Sequence, residues 1–272
     1  MTRHPWFLGH TGANPYFAFT DRCNDQRPII TLASGQACVW YRLTLASKDG
    51  DWIIREDEDA CRQVLQHLSD VGARYRCGAP LDLRWLRAGW SSHFEATDPS
   101  GLRLRFDFVA RPPRIPANDL MACWAAIDQG APAIVPPEIL IPLKQTMRLK
   151  DYPFIGALAM ALPRPEDRVR WSLDPDDLCA VLTTHPHLRQ VRPSLNSVAL
   201  TREAVETAID QEIRHLRRAD ETRLAIYSQA MEPFARALRA TPKAHGALPD
   251  AHDQVVALAQ EYLPIRLPLA LP

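Results

Sequence analysis

Apolar positions change their period several times along the chain, and each change predicts an element. Between residues 56 and 71, Ala60, Cys61, Val64, Leu65, Leu68 and Val71 recur at helical spacing and Gly72 follows as a stop, so this stretch predicts a helix. "WSSHFEA" and "LRLRFDFV" alternate instead, on either side of the turn running from Thr97 to Gly101, and predict a hairpin. In its second strand Leu102, Leu104, Phe106 and Phe108 would face one side, Arg103, Arg105 and Asp107 the other. Further upstream, a short apolar segment at Ile29 to Leu32 meets the turn Ser34-Gly35. Gln36 to Leu45 is apolar at near-helical spacing, and Ala46 to Arg55 alternates like a strand. Residues 1–28 read as an irregular arm, packed by Trp6, Phe7, Tyr16 and Phe17.

Beyond the loop Arg111-Pro-Pro-Arg114 the period turns helical throughout. "PPEILIPLKQTMRLKDYPFIGALAMAL" predicts two helices interrupted near Tyr152-Pro153, and further helices are expected near 174–184, 201–230, 233–239 and 250–262. Pro163-Arg-Pro165 marks the expected boundary. It divides the chain into an N-terminal arm (1–28), an α/β unit (29–163) and an all-helical unit (164–272).

Composition narrows the class. At 272 residues and 46% hydrophobic content, the chain can bury a substantial core. It lacks an apolar run long enough to span a membrane and an apolar signal segment at its start, so a cytoplasmic protein without a membrane partner is expected. Thirty-two basic residues balance 32 acidic ones, which argues against a global field drawing nucleic acid. Six cysteines without a C-x-x-C pair read as reduced, mostly buried thiols.

Candidate chemistry centres on Asp49 and Asp51. In a strand they project from one face while Trp52 and Ile54 project from the other. Two carboxylates held that close call for a cation, and hard oxygen ligands suit Mg²⁺ or Mn²⁺. Asp107, on the polar side of its strand, supplies a third acid. Three such carboxylates on an open sheet face can hold two metal ions about 3.5 to 4 Å apart, with Asp107 orienting or deprotonating the incoming nucleophile. Backbone N–H groups at the Ser34-Gly35 turn, ahead of a helix, can hold nucleotide phosphates, and Lys48, directly before the first acid, is counted with them.

Taken in order, Ser34-Gly35-Gln36-Ala37, then Asp49-Gly50-Asp51, then Asp107 in "RLRFDFV" resembles the DNA polymerase β-like nucleotidyltransferase superfamily. The wording is similar to bacterial nucleotidyltransferase-like proteins that include abortive-infection and toxin–antitoxin members. The resemblance spans about residues 29–160. It implies an α+β fold, a small mixed sheet with helices on one face followed by helices alone. It also implies metal-dependent transfer of a nucleoside monophosphate from an NTP to an acceptor hydroxyl on a protein, a tRNA end or a small molecule. Lys144, Arg148 and Asp151 match a basic helix of that group and are spaced to share one helix face, with Lys144 and Arg148 as phosphate contacts. The chain departs from the pattern in having Ser-Gly at the turn and Gly50 between the acids, where an apolar residue is usual.

Plainer readings stand beside these. Lys-Asp-Gly-Asp is also good turn chemistry, and Asp107 can pair with Arg103 or Arg105. Ser91, His93 and Glu95 alternate on one strand face, where a structural His93–Glu95 contact competes with an acceptor-side role for His93 and Arg105. A second hypothesis is therefore a nucleotidyltransferase-fold protein without turnover, binding a cognate protein partner through its C-terminal helices.

Overall fold

A computed structural model describes residues 14–98 and 101–267. Trp6 and Phe7 lie outside the described residues. Tyr16 and Phe17 belong to a helix rather than an irregular arm. That helix, α1 (Pro15–Cys23), starts on an Asn14 cap, whose side chain accepts from Tyr16 N.

The chain continues through β1 (Ile30–Ala33), α2 (Ser34–Trp40), β2 (Asp49–Ile54), α3 (Glu58–Asp70), β3 (Arg74–Gly78), α4 (Leu83–Leu86), β4 (Ser91–Thr97) and β5 (Arg103–Val109). The helices α5 (Ala117–Asp128), α6 (Pro137–Lys144), α7 (Tyr152–Met160), α8 (Pro165–Trp171), α9 (Pro175–Thr184), α10 (Arg202–Ala240) and α11 (Leu248–Tyr262) follow. The fold is α+β, with a small mixed sheet and a long helical remainder. Among the described residues five strands lie in the order β1-β2-β5-β4-β3; β2 and β5 pair in parallel and the other neighbouring strands antiparallel.

Alternation assigns the two faces. On β5 Leu104, Phe106 and Phe108 are buried while Arg105 and Asp107 are partly exposed. Leu102, read above as the first core residue of that strand, precedes it at the turn and is 54% exposed. The apolar face carries Trp52, Phe94, Phe106 and Phe108, and α1, α3, the end of α10 and α11 supply Phe19, Val64, Phe234 and Val255 to the same core. Trp52 stacks on Phe106 and Phe108 at centroid distances of 5.7 and 5.2 Å and donates its indole N–H to Thr20 Oγ1. Each buried aromatic of this kind contributes about 2–3 kcal/mol. Beside β1, the segment at Ala133 to Val135 exchanges hydrogen bonds with Leu32 and covers that edge.

By its contacts the chain divides into two compact units. One comprises residues up to Val135 together with Ile226 onward; the other comprises Pro136–Ala225 and is helical throughout. The division falls away from Pro163-Arg-Pro165 because the last helices return to the core of the sheet, where Leu238, Leu248, Ala259 and Leu263 are buried. The helical unit has its own core, including Val169, Leu178, Leu182, Leu195 and Val205. No helix among the described residues is long and apolar enough to cross a membrane.

Candidate active site

Pairing along the sheet brings the candidate acids together. Asp51 on β2 stands in register beside Asp107 on β5, and Asp49 lies two residues back on the same face. Neighbouring strands lie about 4.8 Å apart, so Asp51 and Asp107 are immediate lateral neighbours. Asp51 is also opposite Ala33, the last residue of β1, which puts the Ser34-Gly35 turn directly at the acids.

The turn itself is strained and tightly crossed. Ser34 adopts a left-handed backbone with φ 48°, a conformation that costs a non-glycine residue about 1–3 kcal/mol. A Cβ on Gly35 would meet Ser47 Oγ at 2.1 Å, so glycine is what lets the loop leading to β2 pass over the helix start. Buried Gln36 fastens that loop by donating to the Ser47 carbonyl at 2.8 Å, and the Tyr16 hydroxyl donates to the Lys48 carbonyl at 2.6 Å. Burial, reinforced by the charges of Asp49 and Asp107, raises the Tyr16 phenol above its ordinary pKa despite a backbone hydrogen bond from Arg105 that acts the other way. The Lys48 side chain is exposed at the rim of this loop.

Gly50, between the acids, faces the apolar side. A Cβ there would lie 2.3 Å from Trp52 Cη2 and 2.5 Å from Tyr16 Cδ1. Two aromatic rings fill the place an apolar side chain would take, and β2 keeps its register with β5 through this residue.

The acids meet cations of the same face. Arg105 approaches Asp49 at 3.4 Å, while Asp107 Oδ1 lies 2.7 Å from His93 Nδ1 and 3.5 Å from the Arg76 guanidinium. His93 thus contacts Asp107 rather than Glu95, and Glu95 faces Arg103 at 3.7 Å. Arg76 and Tyr227, absent from the sequence reading, enter the site's surroundings through a bulge in β3 and through a helix distant in sequence. Among the described residues no three His, Cys, Asp or Glu side chains are gathered as a metal-holding group. Asp49, Asp51 and Asp107 nevertheless share one face of the sheet and are hard oxygen donors of the type a divalent cation takes; in this arrangement Arg105 stands against Asp49, and His93 and Arg76 against Asp107.

Lys144 and Arg148 are placed differently from the expectation of one basic helix face. The helix ends at Lys144 and the next begins at Tyr152, so Pro153 sits in a helix's first turn, where proline is tolerated, and the interruption lies upstream of Tyr152-Pro153. Lys144 is buried and points at Asp151 across 3.5 Å. Arg148 and Thr146 donate to the other oxygen of Asp151 at 2.9 and 2.7 Å. This cluster belongs to the helical unit. Its lysine is committed to a buried carboxylate instead of lying on an open phosphate-binding surface.

No protein-family model matches the chain, and no curated protein matches it. Among solved structures, it is similar to a crystal structure of a "putative nucleotidyltransferase" from H. pylori, at 13% identity, covering 76% of this chain and 94% of that one with a TM-score of 0.36. An overlap that loose carries no argument about activity. The functional reading rests on the geometry of the acids.

Proposed function

We propose that the protein is a nucleotidyltransferase, moving a nucleoside monophosphate from an NTP to an acceptor hydroxyl. The observation that carries this reading is the lateral register of Asp51 with Asp107, with Asp49 on the same open face and the Ser34-Gly35 turn at its end. Asp49, Asp51 and Asp107 would hold Mg²⁺ or Mn²⁺, which supplies neutralisation of the triphosphate charge and activation of the attacking oxygen. Ser34 and Gly35 present backbone to the phosphates, with Lys48 at the rim. Asp107 receives the acceptor's proton, and Arg105 and His93 border the acceptor side. In this reading the acceptor is a protein side chain, a tRNA end or a small molecule, in a toxin–antitoxin or phage-defence setting.

The pairing of Asp49 with Arg105 and of Asp107 with His93 and Arg76 favours a second reading, a nucleotide-transferase fold that binds a protein partner without turnover. One experiment separates them. The protein is incubated with each labelled NTP, Mg²⁺ or Mn²⁺, and cell lysate as acceptor, beside Asp49→Ala and Asp51→Ala. Transfer that falls by about 10²-fold or more in both variants is expected for a catalytic site; no transfer and no metal-dependent NTP binding leaves the binding protein.

A further inference from the structure

In the helical unit Arg164, Arg168, Arg192, Arg202 and Arg223 are each matched to a carboxylate. Four cations that stand together are not. Among the described residues Lys150, Arg214, Arg217 and Arg218 meet no carboxylate within salt-bridge reach. The three arginines share one face of α10 by their spacing, and the Arg217 guanidinium joins that face to the segment carrying Lys150 by donating from Nε to the Met147 carbonyl at 2.8 Å.

Two buried aspartates fix this segment. Asp220 accepts from the Met147 backbone N–H at 2.9 Å, so both backbone polar groups of Met147 are fastened to α10. One residue earlier, Thr146 donates its hydroxyl to Asp151, and its carbonyl accepts from the Tyr152 hydroxyl at 3.1 Å. Beyond these anchors Met147, Arg148, Leu149 and Lys150 are all exposed, Leu149 at 59%. Burying two carboxylates carries a desolvation cost, and here it holds two large apolar side chains in water beside unpaired cations.

Arginine and methionine together are the composition of a protein interface. The ends of the patch point the same way. Asp210 and Glu221 are exposed on the same face of α10, one turn to either side, so the arginines cover only about 6 Å of helix. A nucleic-acid strand running on along the helix would bring its phosphates onto those carboxylates.

We infer that this surface docks a protein segment that sets carboxylates around a large apolar side chain. The carboxylates meet Arg214, Arg217, Arg218 and Lys150, and the apolar group meets Met147 and Leu149. This goes beyond the transferase reading and holds with or without turnover at the acids of the sheet.

The test lets the surface choose its own ligand. Random dodecapeptides displayed on phage are selected on the full chain, with counter-selection on the double variant Arg214→Glu/Arg218→Glu. Enriched peptides are expected to combine Asp or Glu with Leu, Met or Phe. A synthetic copy of the commonest should bind the wild type at least about 10-fold more tightly than the charge-reversed variant, by fluorescence anisotropy. Met147→Ser/Leu149→Ser should weaken binding by a similar factor while keeping its salt dependence, which the arginine variant loses. If the charge-reversed chain fails to fold, Arg214→Gln/Arg218→Gln takes its place. Selection without enrichment of acidic sequences overturns the inference, as do peptides that bind all variants equally. A short single-stranded RNA that binds more tightly than the peptide, with the same dependence on Arg214 and Arg218, also overturns it and makes the patch a phosphate-binding surface. Label transfer from NTP is read separately: its absence defeats the transferase reading and leaves the docking result standing.

Discussion

Gly50 separates the two acids of β2 because the opposite side of the strand has no room for a side chain. Its hydrogen atoms face Tyr16 and Trp52, and a methyl group would sit inside both rings' contact distance. Gly50→Ala is therefore an overpacking substitution, expected to cost about 1–3 kcal/mol. A lowered urea midpoint would show it; an unchanged midpoint would mean the rings move aside freely. The acids themselves were legible at this scale, since alternation alone puts residues 49 and 51 on one face. Gly50 was not: which residue fills a core position depends on α1, whose Tyr16 comes more than thirty residues earlier. The same holds for Lys144. Its spacing to Arg148 suggested a phosphate-binding helix face, but the helix ends there and buried Asp151 takes the charge.

At the scale of elements, the hairpin and α3 were readable because each is specified by local periodicity and by its own stop signals. Docking between elements was not readable. The α11–β3 contact illustrates this: Tyr75 OH lies 2.8 Å from His252 Nδ1, across more than 170 residues of sequence, and also accepts from Leu81 N. Burial lowers the His252 pKa below its ordinary 6.5, against the opposing pull of Asp82 and Asp253 and with a smaller contribution from Arg84 in the same direction as burial. A histidine with a depressed folded pKa lends stability that is fully present above the unfolded value and is lost as pH falls through the folded one. Between pH 7.5 and 5.5, the wild type should lose more stability than His252→Asn, as measured by urea midpoints in parallel. Equal losses would show that His252 protonates as easily in the folded chain as in the unfolded one.

For the whole molecule, the consequence lies in where the chain ends up after the helical unit. Phe234, Leu238, Leu248, Val255, Ala259 and Leu263 are buried in the core of the sheet, so the α/β unit is assembled from two stretches of chain. A fragment ending at residue 163 would expose the apolar face these residues cover. It is expected to be aggregated or to lack a cooperative unfolding transition; a cooperative transition near that of the full chain would show the C-terminal helices to be dispensable. The sequence by itself determined the mixed α+β class, the hairpin, and the side of each strand on which Asp49, Asp51 and Asp107 fall. Period and turn chemistry act within a few residues, and those features are local. Only the tertiary structure decided that Asp51 and Asp107 are lateral neighbours, that His93 meets Asp107 rather than Glu95, that Lys144 is buried, and that the last helices close the first core. These follow from strand order and long-range packing, which a single chain's periodicity does not encode.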